Sequence, residues 1–459
     1  MKKIGRYEIV GRLGRGGMST VYKARAPVTG RLVALKVLQP RNEIFAELVG
    51  EERLKEIFVE EAKIMGGLCH DHVAKVLDCD EHEGRPFIVL EYFAHSIGAF
   101  IGESYRVEAP SRIISVAKTR SYLIQALKGL ERLHFSGIVH RDIKPFNLML
   151  TSDDRIKIID FGLSRVRGEE KMAIPGMQVG SPYYAAPEQE NNPQQADGRA
   201  DLFSLGIMGF RMLTGRLIDF RRDGDLVPSA LNPVLSSRWD ACIMRSISIN
   251  PDDRYSNAQE MRLAVEALPL VEKKQGPGGR GSVPETRSLA RRPVRSEPAR
   301  VMYKDIATAL GLDPLLRPRT YAVQNFQVVG PQVAYERNTR LFWQRRGSGF
   351  TLDWHMAKEY VRHLNSSRWQ GINSWRLPTI EEIFTVLRPP LHGAFCSEWP
   401  LFDDTLHWLW TSDHCTKKQA WMADVVESFF DRLDMDGIAS VCAVSSASTD
   451  SHQARQEQG

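Results

Sequence analysis

Cysteine is scarce. The six in this 459-residue chain, at 69, 79, 242, 396, 415 and 442, include no Cys-x-x-Cys pair. That pattern fits reduced thiols in a cytosol better than a disulfide framework. Long apolar runs are lacking as well. The longest candidate, Leu202 to Leu213, is interrupted by Ser204, Gly206, Gly209 and Arg211, short of the ~18 residues that would span a membrane. The opening Met1-Lys2-Lys3-Ile4-Gly5-Arg6-Tyr7 has no apolar core of a secretory leader, so a cytoplasmic protein is expected. Between 272 and 300, eight lysines and arginines face three glutamates, which accounts for the whole formal charge of +5. The rest of the chain is neutral overall. Nucleic acid is thus not an expected partner, and the basic stretch reads as a solvated spacer.

What is present is ordinary globular composition, 42% hydrophobic and 25% charged, in a chain too long for one core. Gly276-Pro277-Gly278-Gly279-Arg280-Gly281, followed by Pro284, Pro293 and Pro298 among Arg and Ser, cannot bury enough apolar surface to pack. A linker is placed at 271–300. Before it, Tyr7 to Tyr92 alternates short strands with one helix near 51–67, and Ser111 to Leu268 is mostly helical. A small sheet lobe joined to a helical lobe is expected over 1–270. After it, eight of the nine tryptophans fall within the 79 residues from Trp343 to Trp421. Such density predicts a second compact domain, 301–445, with an aromatic core. The Ser/Gln/Asp-rich end, 446–459, is expected to be a disordered tail.

The densest chemistry is His140-Arg141-Asp142-Ile143-Lys144-Pro145-Phe146-Asn147, followed by Asp160-Phe161-Gly162. Asp142 can accept the proton of an incoming hydroxyl. Asn147 and Asp160 can hold Mg2+, or Mn2+ in its place, against phosphates, and Lys144 can neutralise the group being transferred. Upstream, Gly14-Arg15-Gly16-Gly17-Met18-Ser19-Thr20-Val21 lies between strand-like runs Tyr7 to Leu13 and Val21 to Ala26. It is a hairpin turn, unlike the strand-to-helix turn of a dinucleotide fingerprint. Glycines let backbone N–H groups approach phosphate oxygens, and Val21 would cover a purine; a plain glycine-rich hairpin explains the motif equally well. In Val33-Ala34-Leu35-Lys36-Val37 one lysine stands among apolar residues, and a buried ammonium needs an anion. Phosphate oxygens, Glu61 and its rival Glu60 are the candidates, against a solvent-facing strand lysine. Phe87-Ile88-Val89-Leu90-Glu91-Tyr92-Phe93 reads as a buried strand ending in a hinge, where Glu91 and Phe93 would meet an adenine edge. Ala34, Leu90 and Met149 would sandwich the ring, and ordinary core explains them too.

In this order the parts resemble the eukaryotic-like (Hanks-type) serine/threonine protein kinases of bacteria. The resemblance covers about residues 5–268 and takes in Ala186-Pro187-Glu188, Asp201 and Arg254. It implies a bilobal α+β kinase fold, with ATP and Mg2+ as cofactors. Protein Ser/Thr hydroxyls would be the acceptors, with a kinase homodimer among the partners it allows. It favours Glu61, nine residues before His70, as the partner of Lys36, and Lys144 marks the Ser/Thr class. It further implies a Glu188–Arg254 ion pair, Asp201 orienting the catalytic loop, and a peptide-positioning loop at Gly180-Ser181-Pro182-Tyr183-Tyr184. The sequence departs from the pattern twice. Ser19 replaces the third glycine, and Leu163 to Val179 contains one hydroxyl residue, Ser164, beside Glu169, Glu170 and Lys171. Switching by phosphorylation of that segment is expected to be weak or absent, with Glu169 or Glu170 as a constitutive anion for Arg141.

In the tryptophan-rich region, Thr339-Arg340-Leu341-Phe342-Trp343, Trp375-Arg376-Leu377-Pro378-Thr379-Ile380-Glu381-Glu382 and Trp410-Thr411-Ser412 resemble the Lcl C-terminal domain family. That implies a small mixed α+β domain of C-type-lectin-like topology serving ligand binding or adhesion. The family's Thr-Gly-Leu reads Thr339-Arg340-Leu341 here, and its arginines near Cys442 are Val441 and Val444. Thr379 is expected to cap a helix with Glu382 as its capping-box partner. Asp431, Asp434 and Asp436 before Gly437 lack calcium-loop spacing, and Cys69, His70, His72, Cys79 and His82 lack zinc spacing. The leading expectation is an ATP-dependent Ser/Thr kinase whose C-terminal domain senses a ligand or selects a partner. The alternatives are a pseudokinase scaffold and a lectin-like binding protein.

Overall fold

The computed structural model describes residues 2–40, 50–104, 106–160, 165–166, 183–191, 196–220, 222–224, 226–270, 286–287, 294–389 and 406–446. Two compact units emerge, one of residues 1–113 and 118–269, the other of 114–117 and 270–459.

The first unit begins with a six-stranded antiparallel sheet of β1 (Lys3–Ile4), β2 (Tyr7–Arg15), β3 (Ser19–Arg25), β4 (Leu32–Leu38), β5 (Val76–His82) and β6 (Arg85–Glu91), ordered β1-β2-β3-β4-β6-β5. Strand side chains alternate between faces. Val33, Leu35 and Val37 of β4 accordingly join Tyr7, Phe87 and Val89 in one core. Leu38 meets Ile88 and helix α1 (Glu51–Gly66) in another. Lys36 shares the parity of Leu38, so the pleat itself turns it to the helix side. Leu54, Phe58, Ala62 and Met65 recur at helical spacing along α1 and are buried. Glu61 lies at the edge of that stripe.

Short elements β7 (His95–Ser96) and α2 (Ile97–Ile101) lead into a helical region. It comprises α3 (Val116–Phe135), α4 (Pro187–Asn191), α5 (Gly198–Thr214), α6 (Pro228–Leu231), α7 (Ser237–Ser246) and α8 (Ala258–Glu266), with β8 (Ile138–Val139) following α3. Helix α5 is buried from Ala200 to Thr214 and apolar nearly all round, as befits a central helix. Asp197 caps its N-terminus by accepting from Arg199 N–H, and Gly215, at φ 75°, ends it in the left-handed conformation. Strands β9 (Leu148–Leu150) and β10 (Ile156–Ile158) form a hairpin with Leu148 opposite Ile158. That register brings Asn147, before β9, next to Asp160, after β10. Backbone strand β11 (Arg165–Val166) pairs with β8.

The second unit is also mixed α and β. Strand β12 (Thr286–Arg287) runs parallel to β13 (Tyr321–Ala322). Strands β14 (Phe326–Gly330), β15 (Val333–Glu336), β16 (Leu341–Gln344) and β20 (Val444–Ser446) form one antiparallel sheet, and β17 (Trp408–His414), β18 (Gln419–Asp424) and β19 (Phe429–Asp434) form another. Helices α9 (Tyr303–Leu310), α10 (Trp354–Ser366) and α11 (Ile380–Val386) complete it. Trp343 and Trp421 lie within one core of this unit, with Ile383, Leu409 and Phe430. Thr379 and Glu382 form the full capping box at the start of α11.

One boundary differs from the compositional reading. Residues 294–300, placed in the linker, pack into the second unit. Arg295 makes a two-pronged ion pair with the fully buried Asp413, both prongs at 2.9 Å, and Ala299 N–H donates to the same carboxylate at 2.6 Å. An arginine that reads as spacer charge finds its counter-ion 118 positions away, which no local pattern reveals.

Candidate functional site

The glycine-rich hairpin closes with Gly14 opposite Val21 and Gly16 N–H donating to Ser19 O at 2.8 Å. Gly14, Gly16 and Gly17 are not among the positive-φ residues. A Cβ at Gly14 or Gly17 would meet nothing within 4 Å, and one at Gly16 only Ser19 at 3.6 Å. Neither backbone conformation nor packing demands glycine here. The rim is open to close backbone approach by a group from outside the protein, which is what a phosphate needs.

Cross-strand register puts Val21 opposite Lys36 and Ala34 opposite Leu90, so all four share one face of the sheet. Ala34 is buried, and Val21, Leu90, Phe93 and Met149 are half-buried. Glu91 ends β6, its N–H donating to Lys75 O and its carboxylate accepting from Lys75 N–H. Lys36 itself is buried. Its Nζ lies 2.8 Å from Glu61 Oε1 and 3.0 Å from Asp160 Oδ1. Burial works against its charge, but Asp160 and Glu61 outweigh that and hold the ammonium above its ordinary pKa. Glu61, rather than the exposed Glu60, makes this contact.

On the opposite side, Asp142 Oδ2 accepts from Lys144 Nζ at 2.6 Å and from Asn147 Nδ2 at 3.0 Å. Asn147 Nδ2 also donates to Asp142 O at 2.8 Å, which turns the amide's carbonyl end toward any cation. Asn147 Oδ1 and the half-exposed Asp160 carboxylate are hard oxygen donors, the type Mg2+ and Mn2+ select. The donor set therefore fits such an ion, with phosphate oxygens needed to complete it. Phe161 and Gly162 lie outside the described residues, as do Ser164, Glu169, Glu170, Lys171 and Gly180 to Pro182.

Buried groups hold this loop in shape. Asp201, on α5, accepts from His140 N–H at 2.9 Å, Arg141 N–H at 2.7 Å and, across 2.8 Å, faces His134 Nε2. Complete burial would raise its pKa, but the contacts with His134 and His140 prevail and lower it. Arg141 and Asp160 both adopt left-handed backbone, at φ 66° and 64°, a conformation costing non-glycine residues about 1 kcal/mol or more. His140 Nε2 lies 3.0 Å from Ile159 O, tying the loop to the residue before Asp160. Gln189 Nε2 donates to Arg141 O at 2.8 Å. Arg254 grips Glu188 with two hydrogen bonds at 2.6 and 2.8 Å.

Sequence reasoning missed His134, Gln189 and a buried cluster on Arg211. Arg211 Nη1 donates to Tyr184 OH at 2.9 Å and lies 3.5 Å from Glu103 Oε2, while Tyr184 OH donates to Glu103 at 2.8 Å. Burial raises the Glu103 pKa against the pull of Arg211. The available signal was Arg211 interrupting an apolar helix.

Residues 7–256, over half of the chain, match the protein kinase domain model, and residues 332–445 match the Lcl C-terminal domain model. A probable serine/threonine-protein kinase of Streptomyces coelicolor is 34% identical over 280 residues, 57% of this chain and 40% of that protein. The serine/threonine-protein kinase Pkn1 of Myxococcus xanthus is 32% identical over 300 residues, 60% of this chain and 41% of that one. The chain thus spans about two fifths of the length of these relatives. The PknI kinase domain of Mycobacterium tuberculosis is 25% identical, with 58% of this chain and 97% of that chain covered and a TM-score of 0.44.

Proposed function

The chain belongs to the protein kinase family, and on that footing we propose that it transfers the γ-phosphate of ATP to serine or threonine hydroxyls of proteins. Asp142 accepts the proton as the acceptor oxygen forms its bond to phosphorus. The bond from that phosphorus to the β–γ bridging oxygen breaks, and ADP leaves with the electron pair. Lys144, 2.6 Å from Asp142, balances charge on the group in transit. Lys36 is assigned to the ATP phosphates, with Glu61 fixing its direction. Asn147 and Asp160 would hold Mg2+, which supplies charge neutralisation when bound. The Gly14, Gly16 and Gly17 backbone would cover the phosphates. Val21, Ala34, Leu90 and Met149 would enclose adenine, whose edge meets the backbone at Glu91 and Phe93.

The observation that carries this reading is Lys36 joined at once to Glu61 and Asp160. Holding that pair of acids on one buried ammonium serves catalysis, while a docking scaffold has no need of it. Transfer from labelled ATP to a mixed Ser/Thr peptide set, by wild type and Asp142→Asn, tests the reading. A fall of about a thousandfold or more is expected, and equal transfer by both proteins would rule it out.

A cytoplasmic location is supported by free Cys69, Cys79, Cys242, Cys415 and Cys442. Among the described residues no helix is long and apolar enough to cross a membrane. For residues 301–445 we propose ligand or partner binding, supported by the match to the Lcl C-terminal family. Partner capture with the full chain against residues 1–270 tests it, and identical partners would refute it.

A further inference from the structure

Phe146 is the one exposed side chain among the described residues 140–150. It is 44% exposed and sits in the short 3-10 turn Pro145–Asn147, between two residues whose side chains hold Asp142. Asn147 N–H donates to Lys144 O at 2.9 Å and its side chain to Asp142 O at 2.8 Å, so the turn is pinned at both ends. One side of the ring rests on Gly98 of α2. A Cβ there would come within 2.8 Å of three ring carbons. The absence of a side chain at Gly98 thus makes the seat, and the rest of the ring faces solvent beside the base.

An uncovered aromatic ring, already ordered, gains by covering. Its neighbours do not favour a basic occupant. The segment 97–113 contains two acidic residues, Glu103 and Glu108. Glu103 is buried against Tyr184 and Arg211, and Glu108 accepts from Tyr183 OH. Arg106 and Arg112 balance their charge within the same segment.

We propose that Phe146 selects the acceptor peptide, favouring a leucine-, isoleucine- or phenylalanine-type residue within three positions of the acceptor Ser/Thr. This rests on the kinase reading above and names its substrate class. The range follows because an extended peptide advances about 3.3 Å per residue and Phe146 precedes Asn147, whose side chain is hydrogen-bonded to Asp142.

The test uses the full chain with Ser-acceptor peptides in which each flanking position is Ala, Lys, Glu, Leu or Phe. Phosphate transfer from ATP is scored, and binding is scored separately by fluorescence anisotropy with a non-hydrolysable ATP analogue and Mg2+. At one position, Leu or Phe should exceed Ala and Lys by about tenfold in kcat/KM. Phe146→Ala should bring that ratio near one, mainly through KM. Phe146→Glu should turn the preference to Lys, Gly98→Ala should weaken it, and Phe146→Leu, which keeps an apolar surface, should retain it. A flat wild-type profile, or one that Phe146→Glu leaves unmoved, overturns the proposal. Binding preference that follows Phe146 without any transfer sustains the subsite and overturns the kinase reading alone. Neither binding nor transfer overturns both.

Discussion

Lys36 Nζ and Asp160 Oδ1 lie 3.0 Å apart although 124 positions separate them in the chain. The contact spans the sheet lobe and the loop after β10, and with Glu61 at 2.8 Å it makes one buried ammonium the meeting point of three elements. Such an ammonium surrounded by acids is rigid and charged before any substrate arrives.

Lys36→Met should therefore abolish transfer by about a hundredfold or more while leaving the fold intact. Glu61→Gln should cost less, about tenfold, because the neutral amide still reaches Lys36. Steady-state kinetics with ATP varied separates the two. Equal activity in Lys36→Met and wild type would contradict the role of Lys36.

Asp201 gives a pH signature. Its folded pKa is lowered, so its contribution to stability is full above the unfolded value, near pH 3.9, and is lost as pH falls through the folded one. Asp201→Asn should destabilise the first unit by about 2–3 kcal/mol at pH 7. It should also flatten the loss of stability below about pH 4. Urea unfolding at pH 7 and pH 3.5 measures both; an unchanged difference between the two pH values would contradict the assignment.

Arg295 tests where the second unit starts. Its removal leaves Asp413, fully buried, with backbone donors at Ala299 and Ile380 but no counter-charge. Arg295→Ala should cost the second unit about 2–4 kcal/mol, read as an earlier unfolding of tryptophan fluorescence. A spacer residue would produce no shift.

Arg340 stands in the turn between β15 and β16 at φ 59°, where the resembling family carries glycine. The conformation survives the substitution at a cost of about 1 kcal/mol. Arg340→Gly should raise the midpoint of unfolding of the second unit by a few degrees, and a fall instead would show that the arginine side chain supports the turn.

Much of the site was legible because its chemistry is local. His140 to Asn147 sits on one loop, and the Asn147–Asp160 neighbourhood follows from a hairpin only a few residues longer. The capping box of Thr379 and Glu382 was legible for the same reason, three residues of spacing being enough. Lys36 was harder. Its apolar strand announced a buried ammonium, yet the strand could not say whether Glu60 or Glu61 would meet it, since that depends on the rotation of α1 about its axis. The buried stripe Leu54, Phe58, Ala62 and Met65 sets that rotation.

For other features the local sequence offered no hint of the partner. Arg295 read as spacer because its composition is that of a linker, and only Asp413, carried in by β17, makes it structural. Arg211 read as an interruption in an apolar helix, and Glu103 and Tyr184, from two other segments, turn it into a buried anchor.

By itself, then, the sequence determined which residues can accept a proton, hold a cation or face a phosphate, because those capacities belong to side chains and short spacings. The tertiary structure decided which of them meet, and with what partners. Burial is the physical reason. A charge removed from water must find its counter-charge wherever the fold brings one, and for Lys36 that place is Asp160, far along the chain and near in space.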